Sequence, residues 1–298
     1  MLYFLPCPLK GILSIILYTL NTIILTIPLI LISLLKFIIP WRFFVVTMDR
    51  ILIFIAMVWI EINSLNSRLF CKIDWDIRGL EKLEKKEWYL VVSNHQSWVD
   101  ILALQTTLNR KIPMLKFFLK KELIWVPFLG LAWWALDFPF MKRYSKEQIR
   151  KNPALKGKDL EITKKACEKF KHTPVSVMNF TEGTRFTPQK KKRQNNDFNN
   201  LLNPKAGGIA FVIGSMGDHL HKLIDVTIVY PEGIPTFWDY ISGRVHRIII
   251  DFEVIPMSEL PKGDYFNDEE YKTRFFRWLN ELWHKKDKKI DRLKLKAE

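Results

Sequence analysis

Two short segments of the sequence contain side chains that could carry out acid–base and anion-binding chemistry. In the first, residues 91–100, His95 precedes Asp100 by five residues. A histidine held beside a carboxylate can act as a general base. The second segment is the run Glu182-Gly183-Thr184-Arg185. Its backbone amides and its guanidinium are suited to an anion. Together the two segments predict a site for acyl or phosphoryl transfer.

The five-residue spacing is a weak signal by itself, because His246 is also followed by an aspartate five residues later, at Asp251. That second pair lies in a β-branched run, residues 245–252, which is typical of a strand. Residues five apart on a strand point to opposite faces. We therefore expect His246 and Asp251 to stay apart.

The first pair has a different setting, between a strand pattern at residues 88–92 and a helix pattern at residues 101–108. A five-residue step on a regular helix rotates by roughly 140°. The pair can therefore meet only if His95 precedes the helix and Asp100 lies in its first turn. Ser97-Trp98-Val99-Asp100 is a capping-box pattern with Ser97 as N-cap. A carboxylate at this position also stabilises the helix start without any catalytic role, and the two roles are compatible.

These segments resemble the glycerolipid (1-acylglycerol-3-phosphate, PlsC-like) acyltransferase family, and within it the branch similar to bacterial YihG-type and lysocardiolipin acyltransferases. The first sequence block of that family matches Asn94, His95 and Asp100. The third block resembles residues 180–185, with Thr181 in place of proline.

The second and fourth blocks of the family have counterparts as well. The second resembles residues 138–143, with Lys142 where many members have aspartate. The fourth, a strand that usually carries a proline, resembles residues 225–231. The blocks occur in the order of the family, over residues 75–255.

The resemblance implies a membrane-bound O-acyltransferase. Such an enzyme moves a fatty acyl group from acyl-CoA or acyl carrier protein to the free hydroxyl of a lysophospholipid, most simply lysophosphatidic acid giving phosphatidic acid. His95 would take the hydroxyl proton, and Asp100 would orient the ring and stabilise the imidazolium. The Gly183 and Thr184 amides would hold the oxyanion. The full set of expected substrate-binding residues is Arg143, Glu182, Gly183, Thr184 and Arg185.

Within that set, Arg185, with Arg143 opposite, would grip the acceptor phosphate. Apart from the acyl donor, no cofactor and no metal are implied.

Two other classes of function remain open at this point. A membrane-anchored esterase or phospholipase could use His95 with water, although Ser97 lacks the Gly-x-Ser-x-Gly setting of a nucleophile. A non-catalytic basic protein that binds membrane or nucleic acid would leave His95, Asp100 and the Glu-Gly-Thr-Arg run unexplained.

The N-terminal region predicts a membrane anchor. Residues 11–35 contain 25 residues without a charge, which as a helix would extend roughly 37 Å. A second apolar stretch, residues 43–60, is interrupted by Asp49 and Arg50 and is expected to lie in the interface or re-enter it. The alternative is a pair of buried core helices. No small-residue cleavage site follows the first stretch, so we expect it to stay attached.

These features predict two domains, with anchoring helices at residues 1–62 and an acyltransferase domain with a basic tail at residues 63–298. A helical hairpin or monotopic anchor would keep the catalytic domain on the cytoplasmic side, most simply at a bacterial inner membrane.

The net charge of +15 requires an anionic partner. Because a membrane anchor is predicted in the same chain, that partner is expected to be anionic lipid rather than nucleic acid. The three cysteines are scattered and suggest neither a disulfide framework nor a zinc site.

Strand and helix patterns alternate after the anchor, which predicts an α/β fold with a mixed sheet and helices packed on it. Strands are expected near residues 88–94, 111–115, 134–141, 174–180, 223–230 and 245–255. Helices are expected near residues 98–109, 157–171 and 206–216.

The segments outside this alternation are predicted as follows. Residues 190–197 are expected to form a polar loop, either a solvated surface or a contact for anionic lipid or acyl carrier protein. Apolar residues between 271 and 283 recur at helical spacing and predict a core-packing helix. The basic tail, residues 285–296, is expected to lie on a membrane or to be disordered.

Overall fold

The computed structural model describes residues 1–141, 150–151 and 173–296. The helices are α1 (Cys7–Ile38), α2 (Arg42–Phe70), α3 (Val99–Leu108), α4 (Leu129–Ala135), α5 (Pro188–Gln194), α6 (Ala206–Met216), α7 (Phe237–Ile241) and α8 (Glu269–Leu295). The strands are β1 (Asp74–Arg78), β2 (Tyr89–Ser93), β3 (Leu115–Phe117), β4 (Leu119–Lys120), β5 (Phe140–Met141), β6 (Ser176–Phe180), β7 (Lys222–Val229) and β8 (Arg247–Pro256).

Within the described residues, the main sheet has six strands in the order β1-β8-β7-β2-β6-β3. β2 pairs in parallel with both β6 and β7, and β3 pairs in parallel with β6. β8 runs antiparallel to β7 and parallel to β1. The predicted α/β fold with a mixed sheet is therefore confirmed.

The central strands are buried on both faces of the sheet, as parallel strands usually are. All five residues of β2 are buried, and this explains its nearly continuous apolar run. One face packs against α2, α3 and α4, and the other against α6 and α8. Because both faces are covered, ligands can reach the sheet only at its edges or at the ends of its strands.

The strand predicted near residues 134–141 is wrong for most of its length. The apolar run containing Trp133 and Trp134 forms the end of α4, and only Phe140 and Met141 form a strand, which pairs with β4. Periodicity cannot separate a buried strand from a buried helix in so short an apolar run. The strand expected near residues 111–115 begins at Leu115, and the helix expected at 157–171 lies outside the described residues.

Two segments predicted as irregular are helical. Residues 188–194 form α5, where the Thr187 side chain accepts a hydrogen bond from the Lys190 amide and Pro188 occupies the first turn. This N-cap signal was present in the sequence. The basic tail continues α8 as far as Leu295 and buries Ile290 and Leu293. The alternative of a disordered tail is therefore wrong, and the alternative of a tail that lies on a membrane stays a prediction.

The N-terminal helices α1 and α2 form a hairpin that shares its core with the α/β domain. Leu29 of α1 and Leu52, Ala56 and Trp59 of α2 belong to the same apolar cluster as α3. α2 continues to Phe70, so the predicted domain boundary at residue 62 falls inside a helix.

Most of the hairpin surface is nevertheless apolar and exposed. Both helices are long and apolar enough to cross a membrane, at 32 and 29 residues. Two of the charges that interrupt the apolar surface, Lys36 and Asp49, are paired: Lys36 Nζ lies 2.8 Å from Asp49 Oδ1 and also 2.6 Å from Asp137 Oδ2. Pairing lowers the cost of placing these charges near lipid.

We expect the full-length protein to remain with membranes in 1 M salt and to be released by detergent. Salt at that concentration shortens the Debye length to roughly 3 Å and weakens the attraction of a basic surface, but it does not screen apolar burial. Immunoblots of washed membranes measure the retained fraction. Release by salt alone would show that the exposed hairpin surface does not contact lipid.

Candidate active site

The candidate site lies where three neighbouring parallel strands end. His95 follows the end of β2 by two residues, Glu182 follows the end of β6 by two, and Tyr230 comes directly after β7. β2 lies between the other two strands, so their carboxyl ends meet at one edge of the sheet. In open α/β sheets this edge is where ligands bind.

His95 and Asp100 meet as predicted from the strand, turn and helix pattern. His95 Nδ1 lies 2.8 Å from Asp100 Oδ2, and α3 begins at Val99, which places Asp100 in its first turn. Since a carboxylate oxygen can only accept, Nδ1 is the donor. Nε2 makes no hydrogen bond within the described residues and is the nitrogen available to a substrate.

Asp100 has no exposed surface and accepts three further hydrogen bonds. The amides of Gln96 and Ser97 donate to Oδ2 at 2.6 and 2.9 Å, and the Tyr230 hydroxyl donates to Oδ1 at 2.6 Å. Only half of the predicted capping box forms, because the Ser97 hydroxyl accepts from the Val99 amide instead of the Asp100 amide. The carboxylate is therefore fixed from three sides.

Tyr230 is a site residue that the sequence analysis missed. It is 130 residues from Asp100 in the chain, and no local pattern links them. Burial and the neighbouring Asp100 raise the pKa of Tyr230 well above its ordinary value. The hydroxyl therefore stays protonated and can serve as a permanent donor to the carboxylate.

A stacking contact on one face of the ring also fixes the His95 imidazole. The Phe180 ring at the end of β6 stacks on the His95 ring, with centroids 3.9 Å apart and planes inclined by 14°. This contact and the Nδ1 bond together fix the ring orientation, which is the requirement for a positioned base.

Glu182 has a completely buried side chain and positions the turn that it begins. Its Oε1 accepts from the His95 amide and its Oε2 from the Leu202 amide, each at 2.9 Å. The Phe186 amide donates to the His95 carbonyl at 2.7 Å. Glu182 was expected to contact substrate, but its carboxylate faces the protein and joins the two predicted segments.

The next two residues differ in what their amides can do. The Gly183 amide donates to the Phe180 carbonyl at 2.8 Å, so it is not free for an oxyanion. Gly183 has a φ of +67°, which favours glycine at this tight turn. The Thr184 amide has no acceptor among the described residues and remains the candidate oxyanion donor.

Cations surround the exposed side of this turn. The Arg185 guanidinium is exposed and lies 4.6 Å from the centroid of the Trp98 ring. Lys190 Nζ donates to Thr184 Oγ1 at 2.6 Å and to the Arg185 carbonyl at 2.9 Å. Lys205 lies beside Gly183. Lys190 and Lys205 were not among the predicted site residues, because their place depends on how α5 and α6 pack.

The remaining predictions concern residues away from this turn. His246 and Asp251 have separate partners, since His246 Nδ1 lies 3.0 Å from Glu232 and Asp251 binds Lys289. Their expected separation is confirmed. Arg143 lies outside the described residues.

We expect Glu182→Gln to destabilise the protein by about 1 to 3 kcal/mol. Glutamine has the same shape, but its NH₂ group must face the amide of either His95 or Leu202, which leaves one buried donor unpaired. The change in melting temperature of purified protein in detergent measures the effect. Unchanged stability would show that the two bonds to Glu182 contribute nothing.

The same carboxyl predicts a pH dependence. Burial raises the pKa of Glu182 to about 8 from an ordinary 4.5, against the lowering effect of its amide donors. Between these values the folded protein holds a proton that the unfolded chain has lost, so this stabilisation is complete below pH 4.5 and is lost as pH rises through 8. The melting temperature of the wild type should therefore fall more steeply across this window than that of Glu182→Gln. Equal slopes would contradict the assignment.

Comparison with known proteins finds relatives that are named as acyltransferases. Human 1-acyl-sn-glycerol-3-phosphate acyltransferase delta is 26% identical over 229 residues, covering 73% of this chain and 56% of the relative. Mouse lysocardiolipin acyltransferase 1 is 25% identical over 221 residues, covering 67% and 53%. The chain thus spans about half the length of the curated relatives it matches.

The crystal structure of the 1-acyl-sn-glycerophosphate (LPA) acyltransferase PlsC from Thermotoga maritima is also similar, at 17% identity and a TM-score of 0.48, covering 96% of this chain and 98% of that one. The family model described as Acyltransferase matches residues 74–234, more than half of the sequence. The chain therefore belongs to the acyltransferase family. The matched residues include the segments around His95 and Glu182, on which the resemblance to this family was based.

Proposed function

We propose that this protein is a membrane-bound O-acyltransferase that acylates the free hydroxyl of a lysophospholipid, most simply lysophosphatidic acid, from acyl-CoA or acyl carrier protein. The observation that carries the proposal is the His95–Asp100 pair, with a free Nε2, beside the Glu-Gly-Thr-Arg turn. The relatives named for acylglycerophosphate and lysocardiolipin acylation support this choice of substrate.

In the proposed reaction His95 acts as a general base. Its Nε2 takes the proton of the acceptor hydroxyl as the oxygen attacks the thioester carbonyl, and Asp100 stabilises the imidazolium that forms. The resulting tetrahedral oxyanion accepts a hydrogen bond from the Thr184 amide. Collapse breaks the carbon–sulfur bond, and the imidazolium returns the proton to the leaving thiolate. Proton and charge are thus balanced without a covalent acyl-enzyme.

The position of Ser97 supports direct transfer. Its hydroxyl donates to the Pro235 carbonyl at 2.6 Å and accepts from the Val99 amide at 3.2 Å, so it is engaged with backbone. A serine nucleophile would need its hydroxyl bonded to the base. This contact argues against a covalent acyl-enzyme on Ser97.

The acceptor phosphate is assigned to Arg185. A guanidinium can bind two phosphate oxygens at once, and stacking on Trp98 holds its plane in place. Arg143 is proposed to approach the same phosphate. The hairpin and the positive charge of the chain would keep the site on an anionic membrane surface, which we place at the cytoplasmic face of a bacterial inner membrane.

We expect His95→Ala and Asp100→Asn each to lower turnover by at least about 10²-fold. Alanine removes the base. Asparagine can still accept from the Gln96 and Ser97 amides and can donate to Tyr230, so the fold should survive, but it cannot offset the imidazolium charge. Purified variants are assayed with labelled acyl-CoA and acyl carrier protein thioesters and a panel of lysolipids. His246→Ala, at an exposed histidine, is the control and should retain wild-type turnover. Near-normal turnover in His95→Ala would refute the mechanism.

We expect Arg185→Ala to raise KM for the lysolipid more than for the acyl donor. Loss of one charge-assisted contact corresponds to about 1.5 to 3 kcal/mol, or roughly a 10- to 150-fold lower kcat/KM. The control is Arg193→Ala, which removes an exposed guanidinium from α5. It should leave both KM values close to wild type. A change in the donor constant alone would reassign Arg185 to the donor.

A further inference from the structure

The C-terminal helix α8 holds the segment at residues 199 and 200, and it lies outside the part of the chain that matches the acyltransferase family. The match ends at residue 234, whereas α8 begins at Glu269. Its second half carries three polar side chains on one stripe, at spacings of four and three residues: Asp287, Asp291 and Lys294. None of these belongs to the proposed mechanism.

Asp287 is the centre of this stripe, and its side chain is only 6% exposed. Its Oδ2 accepts from the Asn199 amide at 2.7 Å, and its Oδ1 accepts from the Asn200 amide at 2.8 Å. The two carboxylate oxygens thus hold two consecutive backbone amides, a geometry that fixes the local path of the chain.

Neighbouring side chains on the stripe hold the same segment. Asp291 Oδ1 accepts from the Asn200 side chain at 2.7 Å, and Lys294 Nζ donates to Asn200 Oδ1 at 2.6 Å. Both the NH₂ group and the oxygen of the Asn200 side chain are therefore hydrogen-bonded to α8. This arrangement leaves residues 199 and 200 little freedom.

The segment held by α8 leads directly to the active site. Leu202, two residues after Asn200, is fully buried and donates its amide to Glu182 Oε2. Glu182 Oε1 in turn holds the amide of His95. A continuous chain of carboxylates and backbone amides therefore runs from Asp287 through Leu202 and Glu182 to the base.

We propose that Asp287 is a positioning residue for acyl transfer, acting through the 199–202 segment and Glu182 on the backbone of His95. The proposal rests on the function assigned above. Displacement of a base by about 1 Å can cost roughly 10²-fold in rate. Loss of a remote carboxylate that fixes the turn can therefore lower kcat strongly. Because Asp287 does not face substrate, the binding of both substrates should be little affected.

The test compares Asp287→Asn with Asp251→Asn. In Asp287→Asn the side-chain NH₂ group must face the backbone amide of either Asn199 or Asn200, so one of the two hydrogen bonds is lost. Asp251 of β8 binds Lys289 of α8 at 2.7 Å, and among the described residues no hydrogen bond joins it to the 199–202 segment. We expect kcat to fall about tenfold or more in Asp287→Asn, with both KM values within about twofold, and to stay near wild type in Asp251→Asn.

Two further measurements separate positioning from general destabilisation. If Asp287 acts through Glu182, the double variant Asp287→Asn/Glu182→Gln should be no slower than Glu182→Gln alone, whereas a purely structural role gives additive losses. Hydrogen exchange of peptides containing the His95 and Leu202 amides should accelerate in Asp287→Asn and not in Asp251→Asn.

The exchange measurement does not depend on catalysis. It therefore tests the hydrogen-bond network even if Glu182→Gln fails to fold. It also tests the network if the wild type proves inactive toward lysolipids. That inactivity would overturn the proposed function but not the network. Equal kcat losses in the two single variants, additive losses in the double variant, or unchanged exchange at His95 would each overturn the positioning role.

Discussion

A carboxylate without exposed surface must find all its hydrogen-bond donors inside the protein, and Asp100 finds four of them on two different parts of the fold. Three come from the turn after β2, and the fourth is Tyr230 at the end of β7. The carboxylate can be satisfied only when both strands are in register and α3 begins at Val99. Formation of the site and correct assembly of the sheet are therefore one requirement.

Glu182 imposes a second requirement of the same kind on the other side of β2. Burial favours its neutral form and raises its pKa to about 8, while two backbone amides favour the charged form. Such a group stabilises the turn only if both amides are present. One of these amides belongs to His95, and the other to a segment held by α8. The catalytic turn thus depends on a helix more than eighty residues further along the chain.

The α8 helix is itself fixed to the sheet by a buried ion pair. Lys286 Nζ lies 2.6 Å from Asp225 Oδ1 of β7, and both side chains are almost completely buried. Burial lowers the pKa of Lys286 and raises that of Asp225, so each charge depends on the other. Lys286 also donates to the Val226 carbonyl. Buried pairs of this type contribute little net stability, but they strongly disfavour arrangements that separate the partners. Asp287, the next residue, is thereby held opposite the 199–202 segment.

The sequence by itself determined the features that depend on neighbouring residues. Apolar runs and their flanking turns predicted β2, β6, β7, α3 and α6. The requirement that His95 precede a helix placed it against Asp100, because that geometry follows from helix rotation alone. Apolar length predicted the hairpin helices, although not that Trp59 and its neighbours would join the core of the catalytic domain.

Only the tertiary structure decided the contacts that join distant segments. Tyr230 reaches Asp100 across 130 residues, and the Glu182 carboxylate turns inward because amides from two other segments surround it. The basic tail could be judged from sequence only by its charge, which is the same on a solvated tail and on a helix whose buried face includes Lys286 and Asp287. The local sequence shows which residues are apolar or charged. The partner of a buried charge depends instead on how distant segments pack together.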